Sequence, residues 1–335
     1  MPVALRRNSA PVTARMLGLG VYRPSTVVDN EEIAPQVGRS AAWIESRSGI
    51  RQRRFATDEE TLVRMSVTAA QKAAAAAGID VAEIDCVVAA TTTHLTQMPS
   101  LGSMVAYQIG RRTAAGFDVS AACAGFCHAL ALGHDLVAAG SSRYTLVLGA
   151  ERISDILDRS DPSTAFLFAD GAGAVVVGPG RQAGIGPVVW GSDGSRAAAV
   201  GMTGYWLPEL QRDPERAWPV LGMSGWRVFR WATSELAPIA RAAMDAAGVT
   251  ARDLSAFIPH QANLLISQAV ATALELGDDV VVATDIRESG NTSAASIPLA
   301  MDRLLRQNEV TSGDLALLIG FGSGMVYAAQ VVEIP

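Results

Sequence analysis

The chain has 335 residues, of which 49% are hydrophobic, 18% charged and only 6% aromatic, with a formal net charge of −6. A chain of this length can bury a sizeable core and favours two packed halves. An acidic chain argues against nucleic-acid binding, which requires a concentrated basic face.

Cysteine content and hydropathy exclude several further classes of protein. Cys86, Cys123 and Cys127 are too few for a disulfide framework, and no C-x-x-C pair is present to hold zinc. The N-terminus carries arginines but no apolar run typical of a signal peptide, and no stretch reaches the ~20 apolar residues of a membrane span. We therefore expect a cytoplasmic protein with reduced thiols, no metal and no membrane partner.

In chain order, a polar leader over residues 1–15 precedes the first strand. Apolar or Ala-rich periodicity then predicts five helices, and short β-branched runs, apolar on both faces, predict central strands flanked by helices. The predicted helices cover residues 60–77, 99–110, 123–139, 226–247 and 261–276, and the predicted strands 144–150, 172–178, 254–258, 279–284 and 315–321. Residues 190–222 have no clear period, and a loop that long is usually functional.

An internal repeat relates the two halves of the chain. Residues 73–88 and 243–258 both read as the end of an Ala-rich helix, a glycine, a polar turn and a β-branched strand. Gly78 matches Gly248, a separation of 170 residues that holds along both segments. The repeat predicts a duplicated α/β unit, with halves at 16–180 and 181–335.

Cys123 is the first candidate for chemistry. A strand ends near Val119, a run of small residues follows, and a helix begins at about Cys123. A thiol at a helix N-terminus is favoured as thiolate, and the small neighbours leave room for a substrate. The alternative is a plain buried cysteine, which intracellular proteins commonly contain.

His260 and Asn291 follow two other predicted strands. His260 stands where the 254–258 strand leads into a helix, a position at which active-site residues of α/β folds gather. Asn291 lies in a Gly-Asn-Thr-Ser turn, and position 293 is 170 residues after Cys123. That turn is thus predicted to be the duplicated counterpart of the nucleophile turn, which places Asn291 near Cys123. A glycine-rich segment at 319–329 could supply a backbone amide to an oxyanion.

Other catalytic signatures are missing from the sequence. It contains no G-x-S-x-G nucleophile elbow, no Walker A motif and no His/Cys cluster with metal spacing. Gly18-Leu-Gly20 and Gly171-Ala-Gly173 are fragments of a dinucleotide fingerprint without its third glycine, and we interpret both as strand-end turns.

The motifs AACAGF, PHQAN and GNTSAAS, in that order, resemble those of the β-ketoacyl-acyl-carrier-protein synthase III family. The segments AAWIESRSGIRQRRFA, TAFLFADGAGAVVVG and IGFGSGM are also similar to that family, so the resemblance runs along nearly the whole chain. It is greatest to enzymes of high-GC bacteria, including priming ketosynthases of aromatic polyketide pathways.

The resemblance implies a five-layered αβαβα thiolase-like fold, a homodimer and no cofactor beyond the substrates. It implies that an acyl-CoA starter acylates Cys123, after which malonyl-acyl-carrier protein enters and loses CO₂. His260 and Asn291 would donate hydrogen bonds to the malonyl thioester oxygen, since two fixed donors stabilise a developing enolate. The backbone amides of Cys123 and Ser323 would form the oxyanion hole.

The resemblance also assigns residues around the substrate path. Trp43 and Arg47 would flank the CoA adenine and its phosphates, and Asn263 and Phe229 would line the pantetheine tunnel. Met98 matches the residue that reaches across the dimer to bound the partner's acyl pocket. An unbranched Met would tolerate a starter larger than acetyl. Individually, each of these side chains could also be an ordinary surface or core residue.

Two positions depart from the family pattern. Leu265 replaces an Arg that helps to dock the acidic carrier protein, although Arg227 and Arg230 could compensate. Trp226 replaces a small polar residue at the CoA tunnel and could narrow it or stack on the substrate.

These departures keep open an acyltransferase that passes the acyl group from Cys123 to a non-malonyl acceptor such as a sugar, an amine or another carrier. Asn291 argues against it, since simple acyl transfer needs no enolate stabiliser. A biosynthetic thiolase would need a second cysteine near IGFGSGM, and a non-catalytic paralogue would be expected to lose Cys123.

Overall fold

The computed structural model describes residues 12–96, 98–204 and 218–335. Short loops connect the elements of these ranges. The strands are β1 Thr13–Tyr22, β2 Thr26–Asp29, β3 Gln52–Phe55, β4 Cys86–Ala90, β5 Ala115–Val119, β6 Thr145–Arg152, β7 Asp170–Gly180, β8 Val189–Gly191, β9 Val200–Met202, β10 Leu221–Met223, β11 Ala256–Pro259, β12 Val281–Val282, β13 Leu315–Gly322 and β14 Val326–Glu333. The α-helices are α1 Asn30–Val37, α2 Ala41–Ser48, α3 Leu62–Ala77, α4 Leu101–Gln108, α5 Gly125–Ala138, α6 Gly225–Ala247, α7 Leu264–Ala273, α8 Ile286–Ser289 and α9 Ser296–Arg306.

Two five-stranded mixed sheets form the framework. The first has the order β1-β7-β6-β4-β5, and the second has the order β12-β11-β13-β14-β8. In the first sheet β5, β4 and β6 are parallel, and in the second β12, β11 and β13 are parallel; the remaining pairs of both sheets are antiparallel. Read from β5 and from β12, the two orders correspond strand for strand, as a duplicated unit requires.

Helices separate and cover the two sheets in five layers. Helices α5 and α9 lie between the sheets, where Phe126 and Met301 share one buried cluster with Val147 of the first sheet and Leu318 of the second. Helices α3 and α4 pack on the outer face of the first sheet, and α6 and α7 on that of the second. This is the thiolase-like α/β architecture that the resemblance implied.

The repeated segments fold alike because the same local signals recur. Gly78 and Gly248 end α3 and α6 with φ of 67° and 69°, a left-handed conformation that glycine adopts without penalty. A 3₁₀ turn with a capping box follows each glycine and leads into β4 or β11. The sequence repeat thus corresponds to a repeated structure: a glycine that ends the helix, a capped turn and a strand.

Four details of the sequence predictions were wrong. Gly18-Leu-Gly20 and Gly171-Ala-Gly173 are not strand-end turns but lie within β1 and β7. The predicted leader 1–15 is too long, because residues 13–15 pair with β7 and belong to the first strand. Residues 1–11 of the predicted leader lie outside the described ranges. Within the predicted strand 279–284, only Val281–Val282 pair, with β11, because the Val280 N–H already bonds to Gly277 O in the preceding turn. The turns that correspond to each other are Ala122–Ala124 and Ser293–Ala295, since each begins at a residue with positive φ, 46° at Ala122 and 49° at Ser293. Ser293 therefore corresponds to Ala122 and not, as predicted, to Cys123.

The irregular segment 190–222 is partly described. It contributes the end of β8 and the small antiparallel ribbon of β9 and β10, while residues 205–217 lie outside the described ranges. Among the described helices, none is both long and apolar enough to cross a membrane.

Candidate active site

Cys123 lies in the turn between β5 and α5. The turn Ala122–Ala124 is 3₁₀, and α5 begins at Gly125, so the thiol precedes the helix by two residues. The chain of β13 passes close by: a Cβ built on Gly322 would stand 2.7 Å from the Cys123 backbone nitrogen. Only glycine permits that approach, and the next residue, Ser323, lines the same cavity as Cys123.

The expectation of a thiolate at the helix N-terminus was wrong for the resting protein. The pKa of the Cys123 thiol is raised to about 12: burial raises it most, hydrogen bonding from the Ser293 side chain lowers it, and the negative charge of Glu151 raises it. Burial in a largely apolar wall outweighs the helix dipole here. Cys123 is therefore protonated at neutral pH and must lose its proton during reaction.

His260 follows β11 and is 2% exposed. Its Nδ1 lies 2.7 Å from Ser296 Oγ, which also accepts the Gln261 N–H at 3.2 Å. Burial lowers the pKa of His260 to about 3, so the imidazole is neutral at working pH. When the Ser296 hydroxyl donates to Nδ1, the ring proton sits on Nε2, which has no hydrogen-bond partner in the described part of the chain. The ring packs edge-on against Phe321, with centroids 5.2 Å apart.

Asn291 is held on both its backbone and its side chain. Its N–H donates to Leu167 O at 2.8 Å, and its carbonyl accepts from Ala169 N at 2.9 Å. Its side-chain Oδ1 accepts the Ser293 N–H at 2.9 Å. Because the amide oxygen is engaged, the side-chain NH₂ is the end that remains available to a ligand.

The three residues meet at one cavity of about 660 Å³. Cys123, His260 and Asn291 all line it, and most of the lining side chains are apolar. A neutral imidazole, a carboxamide and a thiol within one apolar cavity can form a covalent acyl adduct and stabilise negative charge on a neighbouring oxygen. Ser323 lines the same cavity, while its hydroxyl donates to Val200 O at 2.6 Å.

The predicted substrate-path residues occupy the outer part of this cavity. Trp43, Arg47, Phe229 and Asn263 line it. Asn263 also has a local role: its Oδ1 caps α7 by accepting the Leu265 N–H, and its Nδ2 donates to Arg47 O, both at 2.9 Å. The sequence did not indicate this clamp between α2 and α7.

Trp226 stands on the rim and is 60% exposed. It lines both the large cavity and a second one of about 320 Å³. The guanidinium groups of Arg227 and Arg230 lie 5.4 and 4.6 Å from its ring centroid, in cation–π contact. Leu265, at which the resemblance implied an arginine, is 39% exposed.

Met98 lies apart from the cavity of its own chain. It is 77% exposed and does not line the cavity, so this structure does not bring it to the site. Only a second protein chain over this surface could make it part of an acyl pocket.

Sequence reasoning missed three polar residues at the site: Ser296, Ser293 and Glu151. Ser296 orients His260, Ser293 orients Asn291, and Ser293 Oγ donates to the buried Glu151 carboxylate at 3.0 Å. One signal was present in the sequence: Glu151 is a charge at the end of the otherwise apolar run YTLVLGA.

Comparison with known proteins agrees with this geometry. Two family models match, 3-oxoacyl-(acyl-carrier-protein) synthase III over residues 117–194 and its C-terminal model over residues 244–334. A β-ketoacyl-acyl-carrier-protein synthase III of Streptomyces glaucescens is 51% identical over 96% of both chains. A mycobacterial synthase III from Mycobacterium avium is 47% identical over 98% of both. The crystal structure of the priming β-ketosynthase of the R1128 polyketide pathway superposes with a TM-score of 0.96, at 46% identity and 98% coverage of both chains.

The five-layered fold and the thiol cavity define an acyl-transferring enzyme of the thiolase-like class. Within that class, the chain belongs to the β-ketoacyl-acyl-carrier-protein synthase III family.

Proposed function

We propose that this enzyme condenses an acyl-CoA starter with malonyl-acyl-carrier protein, with loss of CO₂, to initiate a fatty acid or polyketide chain. The observation that carries the proposal is the meeting of Cys123, His260 and Asn291 in one apolar cavity. Three free cysteines among the described residues fit a reducing compartment, and we place the enzyme in the cytoplasm.

In the first half-reaction, Cys123 Sγ attacks the acyl thioester and CoA leaves. The tetrahedral oxyanion accepts hydrogen bonds from the backbone amides of Cys123 and Ser323; the close approach of Gly322 to the Cys123 backbone nitrogen supports this assignment. Trp43 and Arg47 contact CoA at the outer end of the cavity, and Phe229 and Asn263 line the path of its pantetheine arm.

In the second half-reaction, malonyl-carrier protein enters and its thioester oxygen accepts hydrogen bonds from His260 Nε2–H and Asn291 Nδ2–H. Loss of CO₂ makes that oxygen an enolate, so both donors act more strongly in the transition state than in the ground state. A neutral imidazole is the species that can donate here without titrating across the working pH range. The carbanion then attacks the acyl-Cys123 carbonyl.

The direct test is intact-protein mass spectrometry with a panel of acyl-CoAs, followed by malonyl-carrier protein. We expect a mass gain on Cys123 that disappears with release of CO₂ and formation of a β-ketoacyl carrier. An acyl-enzyme that persists with malonyl-carrier protein, and is emptied by a non-malonyl acceptor, would replace the proposal by the acyltransferase alternative. This alternative is worth testing because two exposed apolar side chains, Leu265 and Trp226, lie where an acceptor would approach the cavity.

We propose that the enzyme is a homodimer that pairs through β5. This strand is an edge of the first sheet, and edge strands are usually covered. Phe117 on the strand is an exposed apolar side chain, at 38%, and Leu95, Met98 and Tyr107, nearby in sequence, are exposed at 47%, 77% and 66%. A second copy related by a twofold axis would cover this patch and carry Met98 toward the partner's cavity.

Phe117→Glu is expected to shift the protein toward monomer. A carboxylate that meets its symmetry mate in an apolar interface should raise the dimer dissociation constant by roughly a hundredfold. Sedimentation velocity across a dilution series measures this constant. The matched control is Val27→Glu on the separate β2–β3 ribbon, at 42% exposure; an unchanged constant for Phe117→Glu would place the interface elsewhere.

We further propose that Arg227 and Arg230 receive the acidic carrier protein at the rim. The double change Arg227→Glu, Arg230→Glu is expected to raise KM for malonyl-carrier protein about tenfold and to weaken its salt dependence, because rim charges steer association. Steady-state kinetics at several salt concentrations measure both quantities. The double change Arg181→Glu, Arg252→Glu, at two exposed positions that line neither cavity, is the charge-matched control; equal effects from the two double variants would reduce the result to net charge.

A further inference from the structure

A buried carboxylate lies directly behind the nucleophile. Glu151, near the end of β6, is 0% exposed. Across residues 12–96, 98–204 and 218–335, no lysine, arginine or histidine forms an ion pair with it. Burying a carboxylate without a counter-ion is costly, and such groups cluster at functional sites.

Hydroxyl groups and one amide surround this carboxylate instead of a cation. Thr93 Oγ1 donates to Oε2 at 2.7 Å, and Thr92 donates to both oxygens through its N–H and its Oγ1 at 3.1 to 3.2 Å. Ser293 Oγ donates to Oε1 at 3.0 Å, and Thr91 Oγ1 lies 3.4 Å from Oε2. Burial nevertheless raises the pKa of Glu151 more than these donors lower it, which makes the carboxylate a stronger base.

Ser293 connects Glu151 to the nucleophile. The turns Ala122–Ala124 and Ser293–Ala295 pack against each other, and Cys123 and Ser293 line the same cavity. Ser293 Oγ donates to Glu151, and hydrogen bonding from Ser293 lowers the pKa of the Cys123 thiol. A hydroxyl has one proton, and in the resting enzyme that proton is directed at Glu151, which leaves the lone pairs of the Ser293 oxygen free to receive the Cys123 proton.

We propose that Ser293 and Glu151 form a proton relay, which removes the Cys123 proton when the acyl group arrives and returns it when the acyl group departs. Glu151 does not contact the substrate. It positions the Ser293 hydroxyl and holds the Cys123 proton between the two half-reactions. The return step rests on the proposed condensation, whereas the removal step needs only a thiol that reacts.

The atoms and charges balance in both steps. In acylation the S–H bond of Cys123 breaks, its proton passes to Ser293 Oγ, and the Ser293 proton passes to Glu151. The new S–C bond replaces the C–S bond of the acyl-CoA, and CoA leaves as thiolate to take a proton from solvent. In condensation the malonyl carboxylate leaves as CO₂, the C–C bond forms, and the departing Cys123 sulfur takes the stored proton back through Ser293. Glu151 ends as carboxylate, and one solvent proton is consumed in all.

Other groups near the thiol are less suited to this task. His260 is a weak base, since burial lowers its pKa to about 3. The remaining titratable groups on adjoining elements turn away from Glu151: Arg152 to Asp58 and Asp155, Asp170 to Ser154 and the Ala56 N–H, Cys127 to the Gly320 backbone, and His128 to the Ala124 carbonyl. Cys123, across Ser293, is the titratable partner that remains.

The test is the rate at which iodoacetamide alkylates Cys123 between pH 6 and pH 10, followed by peptide mass spectrometry. In the unaltered enzyme we expect the rate to level off well below the thiol pKa of about 12, because the proton goes to Glu151 rather than to hydroxide. In Glu151→Gln we expect a slower reaction by roughly a hundredfold at pH 7, a typical value for general-base assistance. Its rate should then climb about tenfold per pH unit, as for an unassisted thiol.

Two further variants separate the relay from a structural role. Ser293→Ala cuts the chain but keeps the carboxylate, and it should show the same climbing profile. Glu151→Asp keeps a base and should recover the plateau in part. A purely electrostatic Glu151 predicts the opposite sign, since removing its negative charge would lower the thiol pKa and speed alkylation. Faster or equally flat alkylation in Glu151→Gln would therefore overturn the proposal.

This experiment is independent of the condensation because iodoacetamide requires neither CoA nor a carrier protein. If the relay is present but no β-ketoacyl product forms, the proposed condensation fails and the relay stands. If product forms normally while all variants alkylate with the same pH profile, the relay fails and the condensation stands.

Discussion

Cys123→Ala is expected to leave a folded enzyme that takes no acyl group from any acyl-CoA. The thiol is the one group in the cavity lining that can form an exchangeable thioester, because the other polar side chains there are a neutral imidazole, a guanidinium, amides and hydroxyls. Condensation should fall by on the order of 10⁴-fold or more, as when the nucleophile of an acyl-transfer enzyme is removed. Removing one sulfur atom from the cavity wall should cost little stability.

The measurement is intact mass after incubation with acyl-CoA, together with CO₂ release from labelled malonyl-carrier protein. His260 and Asn291 are untouched in this variant, so slow decarboxylation without a condensed product should persist. That residual activity reports a correctly folded cavity. Cys127→Ala is the matched control, since Cys127 is the next thiol along α5 and is fully buried. Acylation that survives in Cys123→Ala would move the nucleophile elsewhere.

Much of the site could be predicted because its residues occupy positions that the fold makes special. Cys123 and His260 each follow a strand and precede a helix, Asn291 precedes a helix through the turn Ser293–Ala295, and strand pattern, turn chemistry and the repeat are all visible in the sequence. The five predicted helices are present as α3 to α7. The predicted strand 279–284 was too long because a β-branched run indicates strand propensity but not how many of its residues find a pairing partner.

What could not be predicted depends on burial and on contacts between distant residues. The protonation state of Cys123 follows from its apolar surroundings, which reverse the effect expected from a helix N-terminus. Ser293 and Glu151 are 142 residues apart, and no local pattern joins them. The clamp of Asn263 on Arg47 O is likewise set by how α2 meets α7. These contacts fix the surroundings of Cys123 and the join between α2 and α7, which the motifs alone leave open.

Asn291→Ala is expected to separate the two half-reactions. The Asn291 side-chain NH₂ is assigned to the enolate and has no role in acylation, so acyl transfer to Cys123 should stay within about threefold of the unaltered rate. Condensation and malonyl decarboxylation should both fall by roughly 10²- to 10³-fold, the usual loss for one oxyanion donor, or about 3–4 kcal/mol of transition-state stabilisation. Rapid-quench acylation and steady-state CO₂ release measure the two rates separately.

A second substitution distinguishes loss of the donor from loss of the turn. Asn291 Oδ1 accepts the Ser293 N–H, so Ala could act merely by releasing Ser293. Asn291→Asp keeps that acceptor and replaces only the NH₂ by an oxygen that cannot donate when ionised. If the donor matters, Asp should be at least as slow in condensation as Ala, since its charge also opposes the enolate. If Asp restored condensation while Ala abolished it, the role of Asn291 would be to hold the turn, and His260 would be left as the sole side-chain donor to the enolate.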